Sequence, residues 1–267
     1  MEYMAGVFDA EGYVSLCKDG RFRIGVEMAN KLIPHLFQEK FGGNTYTRKR
    51  DKRKKTWSWI ISGNRDKILN FADLIHPFSV IKKTQLSRIR DYLQLSREDR
   101  KACRDITSQS LSQLKKPLLL TKEHILDTRK KDANEAFWKW LAGFFDGDGS
   151  FCVYEYTGKK SKIFDSWISV FNTHPDAICY VLDRIDGSIS KYKGTKFPIW
   201  KWVCNQKNSE FVCNQLLPHL ILKRDHCNLV LEFLDIKKTK TKESSYSFDQ
   251  IDRIRDIIKQ IKHLNSL

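Results

Sequence analysis

Two short acidic stretches hold the side chains best suited to chemistry. They are Met4–Gly12 (MAGVFDAEG) and Leu141–Gly149 (LAGFFDGDG), which lie about half the chain apart. Both have Ala, Gly, Phe, Asp and Gly in the same five places, and each has an acid in the eighth place, Glu11 or Asp148. This repeat predicts two similar units within one polypeptide.

Each acid is predicted to lie at the end of a helix. Apolar residues at three- and four-residue spacing predict a helix over 134–145, which Gly147 and Gly149 end. Gly143 lies inside this run, where glycine costs about 1 kcal/mol relative to alanine. Gly6 has the same place in the first copy, so the two helices are predicted to pack in close contact there.

Such packing would bring Glu11 and Asp148 near each other. The C-terminal end of a helix carries partial negative charge, and two adjacent carboxylates repel, so the pair favours a cation. Hard oxygen ligands favour Mg²⁺, which can activate water and stabilise a phosphate leaving group. The alternative is that both acids are simply solvated at the ends of their helices.

Both stretches resemble the LAGLIDADG signature, and the layout resembles a single-chain LAGLIDADG homing endonuclease. The second copy departs from that signature at Phe144, Phe145 and Gly147, and the first departs at Met4, Val7, Phe8 and Glu11. The resemblance implies an α+β fold of two pseudo-symmetric αββαββα units. Their strands would form a DNA-binding saddle, and the motif helices would pack at the central interface.

The resemblance also implies the chemistry. Glu11 and Asp148, with the carbonyls of Ala10 and Gly147, would bind Mg²⁺. Mn²⁺ would substitute for it, and Ca²⁺ would bind without supporting cleavage. The reaction would be site-specific hydrolysis of both strands of a long, pseudo-palindromic or asymmetric DNA site, leaving short 3′ overhangs.

Four further residues recur in both halves. Lys82 and Lys223 each follow a proline by five residues, and Asn30 and Asn172 each follow a strand. The resemblance implies that they order the attacking water or stabilise transition-state charge. The alternatives are ordinary surface lysines and asparagines that only cap helices.

Residues Arg21–Met28 alternate between apolar and charged side chains, which predicts a half-buried strand. Its charged side chains suit hydrogen bonding in a major groove, and the basic run Arg48–Lys55 suits phosphates. The alternatives are a solvated face and a disordered hairpin tip. The predicted DNA contacts are Arg21, Arg23, Glu27, Arg48, Lys49, Arg50, Lys52, Arg53, Lys191, Lys193, Lys196 and Lys201.

Composition narrows the class of protein. The net charge of +16 favours a polyanionic partner, and 41% hydrophobic residues can fill sizeable cores. No apolar run of about 18 residues indicates a membrane span. The seven cysteines lack CxxC pairs and predict reduced thiols. We therefore predict an intracellular protein, and the resemblance to a single-chain endonuclease implies a monomer.

The predicted boundaries are a first unit at 1–95, a connector at 96–133, a second unit at 134–236 and a tail at 237–267. The connector is predicted to hold one or two short helices around Pro117. A capping box at Ser247–Gln250 predicts an amphipathic tail helix that docks on the second unit.

Two other functions stay open. One is an RNA maturase of the same fold that assists intron splicing, and the other is a DNA-binding regulator that has lost catalysis. Two carboxylates facing a phosphate backbone favour the nuclease, because binding alone does not need them.

Overall fold

The chain alternates helices with hairpins in the same order twice. The computed structural model describes residues 1–49, 55–114, 132–158, 162–193, 197–239 and 246–266. The first unit contains α1 (Glu2–Glu11), β1 (Gly12–Leu16), β2 (Phe22–Met28), α2 (Leu32–Phe41), β3 (Asn44–Arg48), β4 (Thr56–Ser62) and α3 (Arg65–Ile75), followed by α4 (Lys83–Gln94) and α5 (Arg97–Leu114).

The second unit repeats that order. It contains α6 (Glu135–Asp148), β5 (Gly149–Thr157), β6 (Lys162–Asn172), α7 (Pro175–Leu182), β7 (Gly187–Tyr192), β8 (Ile199–Cys204) and α8 (Ser209–Leu216), followed by α9 (Arg224–Lys238) and the tail helix α10 (Phe248–Ser266). The predicted αββαββα order and the α+β class are confirmed.

Each unit has one four-stranded antiparallel sheet. The strand orders are β1-β2-β4-β3 and β5-β6-β8-β7, so the two sheets have the same topology. Val26 pairs with Gly12 and Trp59, and Val170 pairs with Gly149 and Trp202 at the corresponding places. This register aligns the two units residue by residue.

One face of each sheet is buried against helices and the other is open, as alternating side chains require. In β2, Phe22, Ile24 and Val26 are buried, whereas Arg23 is exposed. Aromatic rings fill the core beneath the first sheet, where Phe37 lies 5.0 Å from Trp59 between ring centroids. The strand predicted over Arg21–Met28 and its two faces are therefore confirmed.

Helices α1 and α6 pack directly against each other at the junction of the units. A Cβ atom on Gly6 would lie 1.9 Å from the Trp140 carbonyl oxygen, and one on Gly143 would lie 2.0 Å from the Tyr3 carbonyl oxygen. Only glycine permits such an approach, so the close contact predicted from these two residues is confirmed.

The end of α6 differs from the prediction. The helix continues through Gly147 to Asp148, and Gly149 has an extended backbone with φ −82°. Gly147 does not end the helix. Instead, it lets α1 approach, because a Cβ there would lie 2.5 Å from the Ala10 Cβ. Glu11 and Asp148 are each the last residue of their helix, as predicted.

The connector and the tail are more helical than the sequence suggested. Helix α5 is one continuous element of 18 residues that packs on α4 and β1, and Pro117 lies outside the described residues. In the tail, Ser247 and Gln250 form the predicted capping box. Helix α10 then docks on α9 and β5, which confirms the predicted docking.

No helix among the described residues combines the length and apolarity needed to cross a membrane. All seven cysteines are free thiols, as predicted.

The variant Gly143→Ala tests the packing of α1 against α6. Its methyl group must push the helices apart. The free energy of unfolding in urea should therefore fall by about 1–3 kcal/mol or more. The control is Lys139→Ala on the same helix, which removes an exposed ion pair with Glu135 and should leave the urea midpoint nearly unchanged. Equal effects of the two variants would contradict the tight packing.

Candidate active site

Both acids are half-buried where α1 and α6 end, and their partial loss of contact with water dominates their electrostatics. Burial, and after it the Glu11 charge, raises the pKa of Asp148 to about 7. Burial likewise raises the pKa of Glu11, against the opposing charges of Lys223 and Lys82. A bound cation would favour the ionised form of both carboxylates.

The two lysines lie beside the acids, at the N-terminal ends of α4 and α9. Lys82 Nζ donates to the Asp9 carbonyl at 2.6 Å. Lys223 Nζ donates to three carbonyls, those of Phe145 at 2.7 Å, Gly147 at 3.0 Å and Gly149 at 2.7 Å. Burial lowers the pKa of both ammonium groups, while the neighbouring acids oppose that shift.

Two clefts flank the junction, and each is built from both units. The first, of about 290 Å³, is lined by Ala10, Lys82 and Gln85 of the first unit and by Asn172 of the second. The second, of about 790 Å³, is lined by Glu11, Asn30, Gly147, Lys223 and His226, among others. Every residue predicted for catalysis or metal binding therefore lines a cleft or, like Asp148, contacts one that does.

The two asparagines are not equivalent, contrary to the sequence comparison. Asn172 Nδ2 donates to Asp148 Oδ2 at 2.7 Å, and its Oδ1 accepts from the His174 amide. Asn30 accepts from the Leu32 amide, at 2.7 Å. Strand register places Met28, not Asn30, at the position of Asn172. Asn30 therefore lies two residues beyond the place that corresponds to Asn172.

Side chains alone supply only part of the oxygen ligands that a hard divalent cation needs. No group of three or more His, Cys, Asp or Glu side chains in the described part of the chain could hold a metal. Glu11 and Asp148 supply two carboxylates, so carbonyls, water or substrate oxygens would have to complete the shell. The Gly147 carbonyl already accepts a hydrogen bond from Lys223, so it would have to share that proton or give it up.

The predicted DNA contacts divide by sheet face. Register places Arg23, Glu27 and Arg48 on the open face of the first sheet, and Lys201 on that of the second. Lys191 pairs with Trp200, and its Nζ lies 4.9 Å from the Trp200 ring centroid, on the opposite face from Lys201. Arg21 ends an exposed hairpin beside Asp19. Lys49 and Lys193 are exposed, and Arg50, Lys52, Arg53 and Lys196 lie outside the described residues.

Known structures match this architecture over nearly the whole chain. The LAGLIDADG meganuclease I-AabMI, bound to uncleaved DNA, gives a TM-score of 0.69 at 14% identity over 96% of this chain and 97% of its own. The homing endonuclease I-SmaMI, bound to cleaved DNA, gives 0.63 at 16% identity over 97% and 95%. I-SmaMI bound to uncleaved DNA with calcium ions gives 0.64 at 16% identity over 98% and 99%.

The chain has the LAGLIDADG homing endonuclease fold.

No protein-family model matches the sequence. Over 208 residues, the chain is 24% identical to the intron-encoded RNA maturase bI4 of Saccharomyces cerevisiae. The aligned region is 77% of this chain but 27% of that protein, so the chain spans about a quarter of the relative's length.

Within this LAGLIDADG fold, two hydrogen bonds cross the junction symmetrically. Tyr3 Oη donates to Asp146 Oδ2 at 2.6 Å, and Trp140 Nε1 donates to Asp9 Oδ2 at 3.0 Å. Tyr3 and Trp140 each stand eight residues before the acid of their own motif. Sequence analysis missed this role, although both aspartates belong to the repeated motif.

The same two aspartates fix the backbone that carries the lysines. Asp9 accepts from the Val80 amide at 2.7 Å and the Lys82 amide at 3.1 Å. Asp146 accepts from the Ile221 amide at 2.8 Å and from the Lys223 amide at 2.9 Å. In this LAGLIDADG site, each aspartate therefore holds its own unit's lysine while the partner motif helix holds the aspartate.

His226 is another site residue that the sequence did not single out. It lies one helical turn after Lys223, as Gln85 does after Lys82, and it lines the same cleft as Glu11. Burial, with the Lys223 charge, lowers the pKa of His226 below its usual 6.5. The repeat spacing of Lys82 and Lys223 could have located it.

The variant Asp148→Asn should show a pH-dependent gain in stability. The folded-state pKa of Asp148 is raised from 3.8 to about 7, so its carboxyl favours the folded state at low pH and this contribution is lost as the pH rises to about 7. In EDTA at pH 8, the variant should be the more stable protein by up to about 4 kcal/mol in urea. The difference should shrink towards pH 4, and a constant difference would contradict the raised pKa.

The variant Tyr3→Phe tests the hydrogen bond to Asp146. Removing the donor leaves a buried carboxylate short of one partner, so stability should fall by about 1.5–3 kcal/mol in urea. The matched control is Tyr192→Phe, because Tyr192 is 49% exposed and its change should cost less than about 0.5 kcal/mol. Equal losses would show that the crossing bond contributes nothing.

Proposed function

We propose that this protein is a site-specific DNA endonuclease that hydrolyses both strands of a long duplex site with the help of divalent metal ions. The observation that carries the proposal is the pair of half-buried acids, Glu11 and Asp148, at the junction of two units that each supply a lysine. A protein that only bound nucleic acid would gain nothing from placing together two carboxylates whose pKa values are raised.

The net charge and the open sheet faces support a duplex as the substrate. The chain carries +16, and the open face of the first sheet presents Arg23, Glu27 and Arg48. Side chains of this kind suit the base edges in a major groove, where arginine bonds to guanine and glutamate accepts from cytosine. The halves differ in sequence, so the two half-sites would differ too.

Glu11 and Asp148 would hold Mg²⁺, together with the carbonyls of Ala10 and Gly147. When bound, the ion supplies Lewis-acid polarisation of a phosphate and lowers the pKa of bound water. Asn172 orients the Asp148 carboxylate through its 2.7 Å hydrogen bond. Lys82 and Lys223 place positive charge beside the acids, where it stabilises negative charge that develops on the phosphate.

The two cleavage centres would not be equivalent. Asp148 has a hydrogen-bonded asparagine, whereas register gives Glu11 a methionine, Met28, at that place. Gln85 and His226 also differ between the clefts. We infer that the two strands are cut at different rates, with a nicked duplex as intermediate.

A maturase that assists intron splicing is the second candidate function, and the alignment to the maturase bI4 supports it. The two activities can coexist on one fold, because RNA could bind away from the clefts. Splicing of an intron-containing transcript, with and without the protein, would detect it. An inactive DNA-binding regulator is the third candidate and is excluded by any metal-dependent cutting.

Cleavage of duplexes drawn from a randomised library, in Mg²⁺ and with Ca²⁺ as the comparison, tests the proposal. The variant Asp148→Asn should lose double-strand cleavage by at least about 100-fold, because it removes a metal ligand, while duplex binding persists. The control is Asp66→Asn, which changes an exposed acid in the first turn of α3 and should cut like the parent. Cleavage by Asp148→Asn at the parental rate would refute the role of this acid.

A further inference from the structure

The two sheets offer different chemistry on their open faces. On the first, Glu27 accepts hydrogen bonds from Thr56 Oγ1 at 2.9 Å and from Arg48 Nη1 at 3.4 Å. Arg23 is exposed on the same face, two residues before Gly25. These groups are suited to hydrogen bonding with base edges.

The open face of the second sheet carries an aromatic patch, made of Tyr154, Tyr156, Ile163 and Trp167. Ring centroids of Tyr154 lie 5.7 Å from Tyr156 and 4.8 Å from Trp167, and Ile163 pairs with Tyr156 across the strands. The patch is open to solvent, since Tyr156 is 44%, Ile163 37% and Trp167 37% exposed.

Among the residues that the structure describes, the charged groups within the strands of this face are already engaged. Lys201 is only 7% exposed, and its Nζ lies 4.4 Å from the Trp167 ring centroid and 4.9 Å from that of Phe171. Asp165 accepts from Lys237 Nζ at 2.9 Å and also from Gln206. The chemistry that the patch leaves open to a ligand is therefore mainly apolar.

Exposed apolar clusters of this kind mark recognition surfaces. In a DNA major groove, the apolar group on a base edge is the C5 methyl of thymine, while the faces of the bases are stacked and inaccessible. The patch continues the same sheet whose equivalent in the first unit carries the predicted base contacts. A duplex rich in thymine at this place would match its chemistry.

We propose that the second sheet recognises its half of the duplex by contact of the aromatic patch with thymine methyl groups, whereas the first sheet recognises the other half by hydrogen bonds. This inference rests on the proposed function, because it assumes that duplex DNA lies along both sheets. Trp167 and Tyr156 are then specificity-determining residues. Each methyl group buried in this way should strengthen binding by about fourfold.

Exchange of thymidine for deoxyuridine tests the proposal, because it removes only the methyl group. Duplexes recovered from a randomised library by binding to the full chain in Ca²⁺ are resynthesised with deoxyuridine in one half or in the other. Dissociation constants should rise by about fourfold per contacted methyl in one half and by less than about twofold in the other.

Variants assign the sensitive half to the patch. With Trp167→Ala, the dissociation constants of thymidine and deoxyuridine duplexes should become equal, whereas with Arg23→Ala the difference should remain. Tyr156→Ala provides a second variant at a more exposed residue if Trp167→Ala does not fold. Equal losses in the two halves, or a methyl effect that survives in both patch variants, would overturn the inference.

The binding measurements also distinguish a failure of this inference from a failure of the proposed function. A chain that binds duplex DNA but is indifferent to thymine methyl groups overturns only the inference. A chain that binds no duplex overturns both. Tighter binding to a single strand of the same sequence, lost in Trp167→Ala, would mean that the patch stacks on unpaired bases, and would also overturn the inference.

Discussion

The close approach of α1 and α6 is the constraint on which the rest of the structure depends. Backbone of one helix lies where a Cβ of the other would have to be, at both Gly6 and Gly143. This approach places the C-terminal ends of both helices together, and with them Glu11 and Asp148. The fold thus brings two half-buried acids together by main-chain contact between the helices that carry them.

The junction also organises what surrounds the acids. Tyr3 and Trp140 cross it to bind Asp146 and Asp9, and those aspartates hold the backbone at Lys223 and Lys82. A displacement of one helix would therefore disturb the lysine of the opposite unit. For the same reason, each cleft is lined by residues of both units. One chain can therefore keep two related sites although individual residues differ between them.

Much of this arrangement could be predicted from the sequence. Gly6 and Gly143 are costly in helices without a packing reason, and the repeat supplied that reason. The alternation in Arg21–Met28 predicted its buried face, and the spacing after each proline located both lysines. These features depend on local pattern and on symmetry between the halves, which a single sequence displays directly.

What the sequence could not supply depends on register and on contacts across the junction. Strand register places Asn30 two residues beyond the position of Asn172, and an alignment by residue type conceals this. Strand parity places Lys191 on the face opposite Lys201, although both are basic residues of neighbouring strands. Gly147 lies inside α6, where the close approach of α1 leaves no room for a side chain. Glycine as a signal for the end of a helix cannot anticipate such a contact.

The most direct measurement is a carbon-detected NMR titration of the Glu11 and Asp148 carboxyl groups in the metal-free protein, alone and in the variant Glu11→Gln. The account predicts that Asp148 titrates with a pKa of about 7 and that this pKa falls when Glu11 loses its charge. A pKa of Asp148 near the ordinary value of about 4, unchanged by Glu11→Gln, would contradict the claim that the two acids share one half-buried site.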